Sequence, residues 1–156
     1  MYRSLLIGAV AGARSMTPLA AVSVAARAGR LPEDNGAPEL LAHPVVVAGT
    51  LAIAAGELAG DKMKSAPDRI VAPGLAARLV TGAVAGAALA PRRQLYVAGA
   101  LGAAAAVASS FITFKLRMRA LRRYGQTSSG LVEDAVTTGA AWWIVSGARR
   151  PAADGE

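Results

Sequence analysis

Apolar runs separated by short polar stretches divide the chain into five segments, at roughly 4 to 27, 40 to 60, 73 to 90, 94 to 114 and 131 to 148. Together they predict an all-α protein, a polytopic transmembrane helix bundle of four to five Ala/Gly-rich spans. The fourth segment is the cleanest. Leu95 to Phe114 carries no charge, and about 20 apolar residues rising 1.5 Å each match the hydrocarbon thickness of a bilayer. In the second, Pro44 suits a first helical position, so a helix is expected from Pro44 to about Gly60. The third runs from Pro73-Gly74 to Pro91 and reaches only roughly 24 to 27 Å, which reads as re-entrant, tilted or broken. The first holds Arg14 and Pro18 in mid-run. A proline there removes an intrahelical hydrogen bond and predicts a kink or unwound turn between them.

Three polar stretches read as extramembrane loops: Arg30 to Glu39, Asp61 to Ala72 with Pro67, and Lys115 to Gly130. The last carries Lys115, Arg117, Arg119, Arg122 and Arg123 with no acid before Glu133, the strongest cytoplasmic marker in the chain. Fixing it inside and counting five spans puts the amino terminus inside and the carboxyl terminus outside, and the basic residues favour that arrangement weakly. A four-span alternative with one re-entrant segment fits as well. Arg3 followed by Leu5 to Ala13 has the form of a short signal peptide, but the apolar run resumes after Arg14, which suits an uncleaved span better. The organisation is one transmembrane domain, 1–150, and a short polar tail, 151–156.

Composition sharpens the class. Of 156 residues, 54% are hydrophobic but only 4% aromatic, so the apolar mass is small and aliphatic. The charged fraction of 17% falls below the quarter usual in soluble domains, and the mean hydropathy is +0.40. A net charge of +7 would suit nucleic acid, but the basic residues sit in short gaps between apolar runs, without a basic stripe interleaved with aromatics. Nucleic acid is therefore not an expected partner; the lipid bilayer is. Without cysteine, disulfides, thiolate nucleophiles and Cys-ligated metals are excluded. His43 is the only histidine, so the usual zinc and Ser-His constellations cannot be built from one chain. No catalytic residue, metal or cofactor is expected. Glu57 and Asp61 could hold Mg²⁺ through waters, yet acids one helical turn apart recur by chance.

The informative residues are ionisable ones at membrane depth, where a central Arg, Lys or Asp costs about 2.5 to 3.5 kcal/mol on insertion scales. Arg14 and Arg78 fall inside apolar segments, Glu57 and Asp61 share one face near the end of the second, and Glu133 with Asp134 opens the fifth. With Thr17 and Thr81 they form a candidate intramembrane polar cluster, in which the arginines pair with the acids. The bland reading places the acids at headgroup depth with the arginines snorkelling, and has Thr17, Thr81, Thr137 and Thr138 bonding their own helix backbone. Trp142, Trp143, Tyr2, Tyr96 and Tyr124 lie near segment ends, as interfacial anchors do.

Small-xxx-small pairs at Gly8/Gly12, Gly56/Gly60 and Gly82/Gly86 predict close helix packing, within a monomer or in a homo-oligomer. Gly-Ala-Val-Ala-Gly occurs at 8 to 12 and 82 to 86, and Ala-Arg-x-x-Thr at 13 to 17 and 77 to 81. The two matches need different offsets, so they do not report one duplication.

Gly12-Ala13-Arg14-Ser15 with Pro18, Gly56-Glu57 with Asp61-Lys62 and Pro67, then Pro73, Ala77-Arg78 and Gly82 resemble the stations of a bacterial membrane family catalogued as domain of unknown function 4126. The resemblance covers most of the chain and implies an integral membrane protein of the bacterial inner membrane, with no catalytic or ligand residue to carry over. Two functions are expected to compete: a small transporter or channel-like protein built on the charged cluster, or a structural or assembly protein that packs on partner helices and anionic lipid. The sequence names no substrate.

Overall fold

The computed structural model describes residues 1–60, 72–124 and 126–148. Among them the protein is all-helical, without a strand. Six α-helices follow in order: α1 Tyr2–Ala13, α2 Met16–Arg27, α3 Pro44–Gly60, α4 Ala72–Ala88, α5 Leu95–Tyr124 and α6 Gln126–Ser146. Short 3-10 turns at Glu39–Ala42 and Arg92–Gln94 lead into α3 and α5.

The first apolar segment is interrupted at Arg14, where an unwound turn is one of the two expectations, and the interruption makes it a helical hairpin and not one kinked span. α1 ends where Arg14 turns extended, at φ −140° and ψ 111°, and α2 starts two residues later. Pro18 is the third residue of α2, in the turn whose N–H groups have no intrahelical acceptor, so it begins a helix instead of bending one. The direction of each arm follows from its contacts. Ser4 Oγ donates to the Gly86 carbonyl near the end of α4, at 2.9 Å. Further along, Gly12 meets Ala106 and Ser109 of α5. α2 then returns, so that Ala25 joins Ala88, Leu89 and Ala148 in one buried cluster. It closes with Gly29 in the left-handed region (φ 61°) and Arg30 N–H donating to the Ala25 carbonyl at 2.8 Å, the six-to-one bond of a Schellman end.

At the near end the 28–43 connection is pinned to the α4–α5 turn. Gly36 N–H donates to the Ala90 carbonyl at 2.8 Å, and Arg92 N–H to the Asp34 carbonyl at 3.1 Å. His43 caps α3, its Nδ1 accepting from Val45 N–H at 3.3 Å. α3 then runs away from this end, α4 returns, α5 runs away and α6 returns, leaving Gly147 against the Arg3 guanidinium. Both ends of the described chain therefore lie at one end of the molecule, the parity of the four-span alternative and not of the five-span count. The hairpin returns the first segment to the end it started from, and the four helices that follow alternate in direction.

A second correction concerns the expected loop from Lys115 to Gly130. α5 continues helical to Tyr124, and α6 has begun by Gln126. Leu, Arg, Met and Ala between 115 and 123 are strong helix formers with no glycine or proline among them, and local propensity prevails over charge.

Small side chains face inward. Ala98, Gly102, Ala106 and Ser110, four residues apart on α5, are all buried. Against this stripe α1 brings Gly8 and Gly12, and α4 brings Gly82 and Gly86. A methyl added at Gly82 would sit 2.7 Å from Ala106 Cβ and 2.8 Å from the Gly102 carbonyl oxygen. Gly56 and Gly60 differ: a Cβ on either would meet nothing within 4 Å, so this pair packs on no other helix among the described residues. Many large apolar side chains face outward, with Val45, Ile53, Val97, Ile112, Val132 and Val136 each more than half exposed, while Ile7, Val22, Leu41, Leu89, Ile144 and Val145 are buried. One helix with its lead-in turn, Arg92–Arg123, is long and apolar enough to cross a membrane by length and composition.

Candidate functional site

The hairpin tip is where the charged residues meet. Gly8 lies beside Gly102 and Gly12 beside Ala106 and Ser109, so the register of α1 on α5 puts Arg14 level with roughly Ser109 to Thr113. Thr113 Oγ1 donates to the Gly12 carbonyl and Ser109 Oγ to the Ala9 carbonyl, tying the tip to α5.

Among the described residues Arg14 is the largest fully buried side chain, 1% exposed. Its Nη2 donates to Asp134 Oδ1 of α6 as an ion pair, and its Nη1 to the backbone carbonyl of Glu57 of α3 at 3.1 Å. One guanidinium thus fastens the tip to two helices from different parts of the chain.

Among the described residues the Glu57 carboxylate pairs with no arginine. Oε1 accepts from Ser15 N–H and Ser15 Oγ, both at 3.0 Å, and Oε2 accepts from Met16 N–H at 3.0 Å. These are the unsatisfied amides that open α2, and a carboxylate is favoured there by the free N–H groups and by the positive end of the helix dipole. Since Ser15 makes no side-chain cap of its own helix, the cap arrives from α3.

Arg78 is buried on α4 at 6% exposure. α4 runs antiparallel to α5, with Gly82 facing Gly102 and Ala106 and Gly86 facing Ala98 and Gly102, so Arg78 stands level with the same turn of α5 as Arg14. The conflict between the two sequence matches is thereby explained. α1 carries Gly-Ala-Val-Ala-Gly before Ala-Arg-x-x-Thr and α4 carries them in reverse order, and antiparallel packing brings both glycine pairs to one α5 crossing and both arginines to one layer.

Glu133 bonds outside this layer, to Arg117 Nη1 of α5 at 2.9 Å, while Asp134 alone of the two takes Arg14. Thr81 Oγ1 donates to the Arg78 carbonyl at 3.3 Å and Thr137 Oγ1 to the Glu133 carbonyl at 2.8 Å, each within its own helix. Thr17 is buried in the first turn of α2, and its hydroxyl has no partner among the described residues. Asp61 lies outside the described residues. No group of three metal-ligating side chains occurs among those described.

Three participants were missed from sequence: Ser15, Arg117 and Gly102. Ser15 ahead of Met16-Thr17-Pro18 is a helix-start signature that locates the break. Ala98-x-x-x-Gly102-x-x-x-Ala106 is a small-residue repeat as regular as the pairs read elsewhere. Arg117 had no such signal, since its partner is fixed only by how α6 returns along α5.

Comparison with protein-family models, with curated proteins and with solved structures gave no match.

Proposed function

We propose that the chain is a small multi-pass protein of the bacterial inner membrane, with a transporter or channel-like role centred on the Arg14–Glu57–Asp134 layer. The membrane part rests on the radial distribution of side chains. In water, burying large aliphatics drives folding; in lipid, helices gain nothing by hiding them and associate through small residues instead. Here alanine and glycine fill most of the contacts and many large aliphatics face outward, beside a smaller buried set of Ile7, Val22, Leu41, Leu89, Ile144 and Val145. α5 adds a length argument: its uncharged stretch of about 20 residues, near 30 Å, is bounded by Arg92, Arg93 and exposed Tyr96 at one end and Lys115 at the other. Tyr2, Tyr96, Trp142 and Trp143 are all exposed toward the end that holds the amino terminus, as an aromatic belt would be, and the density of basic residues from Lys115 to Arg123 favours the opposite end for the cytoplasm.

The transport part rests on one observation: a helix N-terminus and a buried guanidinium, held at depth by a broken segment, meet carboxylates from two other helices. Proton, potassium and chloride flux across proteoliposomes, wild type against Glu57→Gln, tests it. Flux above empty vesicles that changes in the variant supports transport. Flux equal to empty vesicles for all three probes refutes transport of these ions and favours the structural reading. That second reading has its own support, because the Glu57 carboxylate is bonded entirely within the chain.

A further inference from the structure

Beyond the hairpin layer, α5 carries a surface that the transport reading does not use. Between Lys115 and Tyr124 the helix runs ten residues past its apolar stretch, roughly 15 Å at 1.5 Å per residue. Lys115, Arg119 and Arg122 follow at i, i+4 and i+7, which places them in one stripe, and all three are exposed. α5 holds no acidic residue, and none of the three makes an ion pair among the described residues. Arg117 belongs to a different face, half-buried and paired with Glu133. The stripe continues an apolar one: Ala104, Ala108, Phe111 and Ile112 are exposed on the same side of the same helix. One face thus changes from apolar to cationic between Ile112 and Lys115.

We propose that this stripe is a binding surface for the phosphate headgroups of anionic phospholipids. The inference rests on the membrane reading above and deepens it. An acyl chain lying along Ala104 to Ile112 brings its headgroup level with Lys115, and Arg119 and Arg122 stand about 6 and 11 Å further out, across the headgroup layer. Charge complementarity selects the ligand. Unpaired cations at that height attract phosphodiesters that lack a compensating amine, whereas zwitterionic lipid offers each phosphate already neutralised. Arginine contributes forked donors and lysine a point charge, so two of the three positions suit bidentate phosphate contact.

The test uses the full chain reconstituted in phosphatidylcholine vesicles, with and without phosphatidylglycerol. The readouts are thermal stability and lipid retained on mild extraction, followed by native mass spectrometry. At roughly fivefold per cation near the surface, Lys115→Gln/Arg119→Gln/Arg122→Gln should lower the preference for phosphatidylglycerol by tenfold to a hundredfold. Arg92→Gln/Arg93→Gln, at the opposite end of α5, should leave it unchanged. Equal preference in wild type and triple variant overturns the proposal, as does equal stabilisation by glycerol 3-phosphate or inorganic phosphate added to neutral vesicles. Salt-sensitive capture of an oligonucleotide by these residues in preference to phosphatidylglycerol overturns it too. Failure of the membrane reading looks different: the wild-type chain would not float with neutral vesicles at all.

Discussion

Gly102→Ala places one methyl group where α1, α4 and α5 cross. A Cβ on Gly102 would lie 3.1 Å from the Gly82 carbonyl carbon and 3.1 Å from Gly86 Cα, and nearer still to the Gly82 carbonyl oxygen. Every one of these atoms is backbone, so no rotamer change relieves the contact and α4 must move away from α5. Overpacking of this kind costs about 1 to 3 kcal/mol, and a rigid obstruction belongs at the upper end. Alanine returns about 1 kcal/mol through its helix propensity, leaving a net loss on the order of 2 kcal/mol. Gly56→Ala supplies the internal control, since a Cβ there meets nothing within 4 Å and only the propensity gain remains. The two variants should therefore differ by about 3 kcal/mol in opposite senses. Denaturant titration of purified protein in mixed micelles, followed by circular dichroism, measures the difference. Gly102→Ala as stable as wild type would refute the small-residue crossing. A destabilised Gly56→Ala would show instead that α3 packs on something other than the described residues, such as a second copy in a homo-oligomer.

Asp134→Ala leaves the Arg14 guanidinium buried without that carboxylate and should lower stability by about 3 to 5 kcal/mol; in a double-mutant cycle Arg14→Ala and Asp134→Ala should couple by 1 to 3 kcal/mol, so strict additivity would rule out the pairing. Glu133→Gln should cost less than Asp134→Ala, because glutamine keeps an oxygen acceptor for Arg117 and that arginine is less deeply buried than Arg14, and a loss as large as that of Asp134→Ala would contradict this ranking. Single cysteines in this Cys-free chain should report its parity, with Tyr2→Cys and Ala28→Cys labelled from one side of sealed vesicles and Ser128→Cys from the other. Labelling of positions 2 and 28 from opposite sides would mean that α1 and α2 form one crossing helix.

Much of this protein is legible along the chain because it is local. Apolar runs of helical length mark α3, α4 and α5, and Pro44 starts α3 where a proline belongs. The oddness of Arg14 is equally plain, since an ionised group in such a run is expensive wherever the run goes. What the chain order could not show is direction. Whether α2 continues α1 or folds back depends on contacts made with α4 and α6, more than sixty residues away, and that choice fixes which end each terminus occupies. Partner assignment is non-local for the same reason. Glu57 and Asp134 were both available to Arg14 by charge alone. Only the packed bundle gives Asp134 the guanidinium and Glu57 the open amides of α2, because a carboxylate reaches whichever donors the register of its helix brings within 3 Å. Likewise Gly56/Gly60 and Gly82/Gly86 are the same motif in sequence, and tertiary structure alone decides which pair has a backbone beside it.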